Sequence, residues 1–243
     1  MKILLYLVLF FGASSALAQT TLTVGVPFGI TRNQAILQYY QFLSDVLKEA
    51  GFKTELKKIS GVLPYEALVR GEVDSIAYDD LALTTDREKV ITISFPISFV
   101  DVHVFYLAEN KKFNEKNLKK YRGALVLNNS MIEKEAKARR LKYVTTINPY
   151  HNAQLLIDKK VDYFLSIEEV GKSALVSTPN GTKKVKMSES IFATFPLYFS
   201  MQKKYKKDLS RIEAAFKRRL EGDLSAYPLV KKVLNKKPEF PEN

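Results

Sequence analysis

The sequence predicts an α/β fold in two similar halves, each a mostly parallel sheet covered by helices. Three observations carry this expectation. Strand-like and helical runs alternate from residue 21 onward, the pattern restarts after Pro96, and two stretches match in character, "ALVRGEVDSIAY" (67 to 78) and "LLIDKKVDYFLS" (155 to 166). In both, a helix end passes through a short polar turn into Val-Asp and an apolar strand, so Asp74 corresponds to Asp162 and Tyr78 to Ser166.

The elements follow in order. "TLTVGV" (21 to 26) reads as a buried strand. Asn33 to Ala50 reads as a helix, with Ile36, Tyr39, Tyr40, Leu43, Val46 and Leu47 on one face, Asn33 as N-cap and Gly51 as stop. "KTELKKI" follows as an alternating strand, residues 64 to 70 as a helix ending at Gly71, and Val73 to Tyr78 as a third strand. "RGALVLNNS" (122 to 130) repeats the strand-then-polar-loop character of "LTVGVPFG", and "FATFPLYFSMQKKY" is strand-like. Asp208 to Glu221 is a helix with Leu209, Ile212, Ala215, Phe216 and Leu220 inward, stopped by Gly222, and a final helix spans about 223 to 235. No connector is rich in Gly, Pro or Ser, so the two lobes are expected to be joined by structured crossings near 97 to 104 and 191 to 197. The expected division is a leader at 1–18, one lobe from 19–100 plus 196–243, and a second from 101–195.

The expected leader is "MKILLYLVLFFGASSALAQT", with one lysine, an apolar run and Ala16-Leu17-Ala18 before the cleavage point, the three parts of a secretory signal peptide. The chain has no cysteine, which excludes disulfides, thiolate metal sites, a cysteine nucleophile and a lipid-bearing cysteine anchor. Its expected location is the periplasm, as a free monomer. The formal net charge is +12, and Lys2 is the only charge in the leader, so the exported chain keeps +11. Such a balance suits a solvated basic surface, an anionic ligand or an anionic membrane face. Nucleic acid is not an expected partner, because the chain carries an export leader and no recognised binding motif.

A parallel sheet presents ligands beyond the carboxyl ends of its strands. Those ends fall at Phe28, at Tyr78, Asp79 and Asp80, at Asn128, Asn129 and Ser130, and from Ser166 to Glu168. Phe28 and Tyr78 offer apolar or stacking walls, and the Asn128 to Ser130 turn caps a helix whose N–H groups face an anion. The only histidines are His103, in an apolar strand, and His151, at a helix start near the cleft. No metal site is expected from them, and no cofactor.

At this point the chain resembles the family 3 extracellular solute-binding proteins, which have the two-lobed periplasmic-binding-protein fold and feed ABC importers of polar amino acids. The resemblance rests on the leader, "LTVGV" with "PF" after it, "ALVRGEVDSIAYDD", "TTDREKVITISFP" and the closing "YFSMQKKYKKDLSRIEAAFKRRLEGD", and it covers essentially the whole exported chain. It implies that Arg87 binds a carboxylate of the solute, with Thr84 and Thr85 in place of the hydroxyl residues common before that arginine. A planar, permanently charged guanidinium matches a carboxylate's two oxygens. The other reading of Arg87 is a surface residue paired with Asp86 or Glu88. The acid that holds the solute's ammonium in the family falls at Ile167, with Glu168 adjacent, so an ordinary α-amino acid is not assured. The expected partners are therefore a small polar or anionic solute and an ABC permease or a membrane sensor. The chain is expected to be a binder and not an enzyme. The alternatives are a sensing protein of the same fold, and a dehydratase-type cleft enzyme using Asp79, Asp80 and Glu168 as acid and base.

Overall fold

The first strand, β1 (Thr21–Pro27), leads into helix α1 (Gln34–Glu49), strand β2 (Lys53–Ile59), helix α2 (Pro64–Val69) and strand β3 (Ser75–Asp79), and β1 pairs in parallel with both β2 and β3. The computed structural model describes residues 20–27, 34–59, 64–79, 88–127 and 130–234. Helix α1 forms because Tyr39, Tyr40, Leu43, Val46 and Leu47 recur at helical spacing, and all five are buried against the sheet. Gly51 ends it at φ +85° and Gly71 ends α2 at φ +76°. Both ends close the same way, with Phe52 donating to the Leu47 carbonyl and Glu72 to that of Ala67, a turn that needs the left-handed backbone glycine adopts freely.

After the short β4 (Val90–Thr92) and the long β5 (Ser98–Leu107) the plan repeats. A 3-10 helix (Glu115–Lys120) precedes β6 (Arg122–Val126), α3 (Ser130–Ala138), β7 (Lys142–Thr146), α4 (Pro149–Ile157) and β8 (Tyr163–Ile167), and β6 pairs in parallel with β7 and β8. The order β7-β6-β8 thus reproduces β2-β1-β3. The remaining elements are α5 (Glu168–Ser177), α6 (Gly181–Lys184), β9 (Val185–Gln202), α7 (Leu209–Glu221) and α8 (Pro228–Leu234).

The matched aspartates perform the same task in both halves. Asp74 accepts from the Thr23 N–H at 3.0 Å and returns its own N–H to the Thr23 carbonyl. Asp162 accepts from the Arg122 N–H at 2.8 Å and donates back to the Arg122 carbonyl. Each aspartate therefore locks the start of one parallel strand to its neighbour, which is the physical reason for the repeated Val-Asp.

Strands β5 and β9 join the two units. They are antiparallel from Ser98↔Leu197 to Leu107↔Val185, while the last residues of β9 leave β5 and pair with β3 and β4. The buried side chains separate accordingly. One set of clusters draws on residues 22 to 97 and 199 to 230, the other on residues 102 to 192. The C-terminal helices belong with the first set. Ile212, Ala215, Phe216 and Tyr227 enter its core, Glu49 receives Arg218 at 2.6 Å and Arg219 at 2.9 Å, and the Tyr227 hydroxyl donates to Asp45.

Some elements differ from the sequence expectation. β2 does not alternate, because it is an edge strand with one pairing neighbour and five of its seven residues are exposed. β9 begins at Val185, seven residues before the expected strand at Phe192, since pairing with β5 carries the polar stretch 186–190. The last helix starts only at Pro228, where proline at the first position is compatible with a helix start.

Asp74 yields a prediction. Partial burial raises its carboxyl, but hydrogen bonds from Lys204 at 2.6 Å and from Thr23 outweigh this and hold it below the ordinary aspartate range. A depressed folded-state value gives stability that is present above the unfolded value of about 3.9 and is lost as pH falls through the folded one. Asp74→Asn should lower stability in urea by about 1–2 kcal/mol at neutral pH. The gap should close as pH falls through the depressed folded-state value. A gap independent of pH would show that the charge of Asp74 contributes nothing.

Candidate functional site

The pairing registers turn the carboxyl ends of both parallel sets toward one stretch of β9. Asp79, at the end of β3, pairs with Tyr198, whereas Ser75 at its start pairs with Met201. Ile167, at the end of β8, pairs with Val102, which in turn pairs with Ala193, whereas Tyr163 leads through Tyr106 to Lys186. The two sets of strand ends therefore converge from opposite directions on residues 193 to 198, about 17 Å of extended chain. This crossing segment is held to β5 by Ser98↔Leu197, Val100↔Phe195 and Asp101↔Thr194, and the Thr194 hydroxyl donates to the buried Asp101 carboxylate at 2.8 Å.

Some of the sequence-derived site residues lie on this convergence. Tyr78 and Asp79 are the last two residues of β3, and Ser130 is the first of α3 directly after the β6 end. Ser166 is buried in β8 opposite His103 of β5, and Glu168 is the first residue of α5. Phe28, Asp80, Thr85, Arg87, Asn128 and Asn129 lie outside the described residues.

Glu168 stands between Lys172 of its own helix and His103 of β5. One carboxylate oxygen accepts from Lys172 at 2.6 Å and the other lies 3.9 Å from Nε2 of His103, while the side chain is only 17% exposed. His103 is buried, and its Nδ1 lies 3.1 Å from the Ser188 carbonyl, so that nitrogen carries the proton. The Ser188 hydroxyl accepts from the Val104 N–H and donates to the Ser190 carbonyl. The Glu168-to-Lys172 spacing was readable as a helical i, i+4 pair, whereas the roles of His103, Ser188 and Asp101 depend on strand register. His151 is exposed, and its N–H donates to the Asn148 side chain that caps α4. Nearby, the buried Thr146 hydroxyl lies 2.6 Å from Oδ1 of Asn152, whose Nδ2 meets no acceptor; exchanging the two ends of that amide lets Nδ2 donate to Thr146 and Thr146 to the Asn148 carbonyl. Among the described residues no group of three or more His, Asp or Glu side chains converges to hold a metal ion.

The architecture has counterparts among solved structures. The GluR0 ligand-binding core in complex with L-glutamate has a TM-score of 0.67 at 13% identity, covering 90% of this chain and 98% of its own. The sensor domain of a histidine kinase with similarity to periplasmic binding proteins has a TM-score of 0.67 at 15% identity, covering 88% and 96%. This chain has the two-lobed periplasmic-binding-protein fold. The probable amino-acid ABC transporter extracellular-binding protein of Bacillus subtilis shares it, with a TM-score of 0.66 at 16% identity over 89% and 98% of the two chains. No family model and no curated protein matches the sequence. In the terms of this fold, β5 and β9 are the two strands that cross between the lobes, and residues 193 to 198 belong to one of these crossings.

The Glu168 cluster has a measurable asymmetry. Lys172 is 55% exposed, so Lys172→Ala should cost only about 0.3–0.5 kcal/mol in urea unfolding. Glu168→Ala removes a carboxylate that is only 17% exposed and so should cost more than Lys172→Ala in the same measurement. Equal losses would mean that the exposed pair alone holds Glu168.

Proposed function

We propose that this chain is a periplasmic solute-binding protein that captures a small polar or anionic solute between its lobes, with the lobe limits at 19–100 plus 196–243 and 101–195. The observation that carries the reading is the convergence of both sets of strand ends on residues 193 to 198, because a crevice beyond the carboxyl ends of parallel strands is where such sheets hold ligands. The fold likeness supports it, since structures of this fold include a glutamate complex and an extracellular binding protein of an amino-acid ABC transporter. Arg87 is the anchor for an acidic group of the solute, Phe28 and Tyr78 form walls, and Asp79, Asp80 and Thr85 border them. Asn128, Asn129 and Ser130 present a helix start to the solute, and Ser166 and Glu168 complete the second-lobe side. Residues 1–18 direct export, the protein acts as a monomer without a lipid anchor, and its membrane partner is an ABC permease. The histidine-kinase sensor domain of the same fold favours one further reading, in which a membrane sensor detects lobe closure. Binding rather than catalysis is the activity.

A thermal-shift screen against amino acids, small carboxylates and oligopeptides identifies the solute, since a ligand at 100 times its dissociation constant stabilises by about 2.7 kcal/mol. Calorimetry then tests the anchor. Arg87→Lys should weaken binding because the charge stays and the fork is lost. Arg87→Ala should cost about 2–5 kcal/mol. Unchanged affinity in both variants, with folding intact, would assign Arg87 to the surface.

A further inference from the structure

The lobe containing residues 102 to 192 is electrically polarised along its strands. Its far end, opposite the cleft, is a row set by strand register: Lys186 faces Tyr106, Tyr106 faces Tyr163, Tyr163 faces Gly123, and Arg122 faces Lys142. The segments that enter or leave the sheet there are 108–122, 139–142, 158–162 and 183–186. Together they carry fourteen lysines and arginines against four carboxylates, leaving ten of the chain's twelve formal net positive charges at one pole. All fourteen cations are exposed. Among the described residues only Arg139, bonded to Glu135, and Lys159, bonded to Glu109, are ion-paired members of this set. The segments at the other ends of β6, β7 and β8, 127–130, 147–151 and 167–169, contain no lysine or arginine and two glutamates.

We infer that this basic pole docks the protein on an anionic lipid surface, with the cleft turned away from the headgroups. Eleven of the fourteen cations are lysines, which act as point charges and lack the bidentate fork that singles out one carboxylate or phosphate. They are spread over the ends of five neighbouring strands, about 20 Å, so they match a planar array of charge better than a single small anion. The half-buried Phe113 and Tyr121 sit among them, their rings tilted at 47° with centroids 4.8 Å apart, and supply the aromatic component that favours the headgroup region. Cations beside an anionic leaflet add their attractions and are screened within a Debye length, which makes the docking reversible and salt-sensitive.

Co-sedimentation with vesicles tests the inference. The purified chain should bind phosphatidylcholine vesicles containing about one-third phosphatidylglycerol, should ignore phosphatidylcholine alone, and should dissociate as salt is raised. The triple variant Lys119→Glu, Lys120→Glu, Lys160→Glu should bind about a hundredfold more weakly. The triple variant Lys58→Glu, Lys203→Glu, Lys217→Glu has the same net charge, alters exposed lysines outside the pole, and should bind within a few-fold of the parent. Thermal melts establish that both variants fold. Equal losses in the two variants would reduce the effect to net charge and overturn a specific pole. Absence of any preference for the anionic vesicles would overturn lipid docking itself and leave an acidic protein as the partner.

Discussion

The antiparallel pairing of β5 with β9 is the constraint on which the rest of this structure depends. Two sets of parallel strands, each with its own buried clusters, are joined through these strands, and their register decides where the strand ends point. Because β9 passes from β5 to β3 without a break, the first lobe approaches the crossing at residue 198 and the second at residue 193. Both sets of carboxyl ends therefore face this crossing from opposite sides. The Thr194 to Asp101 hydrogen bond ties the crossing strands where they change lobes, so relative motion of the lobes would be absorbed by backbone torsion near these residues.

Within each lobe, one device recurs. An aspartate at the start of the third parallel strand exchanges two hydrogen bonds with the start of the first, Asp74 with Thr23 and Asp162 with Arg122. The surroundings then diverge. Lys204 reaches Asp74 from the segment after β9 and couples the C-terminal region to the first lobe, whereas Asp162 sits at the basic pole of the second.

Much of this was legible in the residues. The α1 face, Gly51, Gly71 and the two Val-Asp starts announce their elements because apolar periodicity and glycine punctuation are local signals. The second lobe was harder to read at its helix ends. α3 and α4 close with the same turn as α1 and α2, Leu141 donating to Ala136 and Lys160 to Leu155, but the left-handed positions are held by Arg140 and Lys159 in place of glycine. β7, "KYVTT", has no readable apolar alternation because only Thr146 among its five residues is buried. At the site, the strand ends and the Glu168-to-Lys172 pair were readable from position, and the approach of His103 to Glu168 was not, because His103 arrives from a strand 65 residues away. The charge pole illustrates the same limit: the lysines are scattered in sequence and gather only through strand register.

The central claim is that the crossing strands hinge two lobes around a solute. The chain has no cysteine, so a pair introduced at two exposed sites, Lys217 in the first lobe and Val176 in the second, would be the only thiols available to spin labels. The inter-label distance distribution, measured with and without the solute selected by thermal shift, should move to a new and narrower one when the solute binds. A distribution unchanged by a solute that raises the melting temperature would contradict the account and place binding outside the cleft.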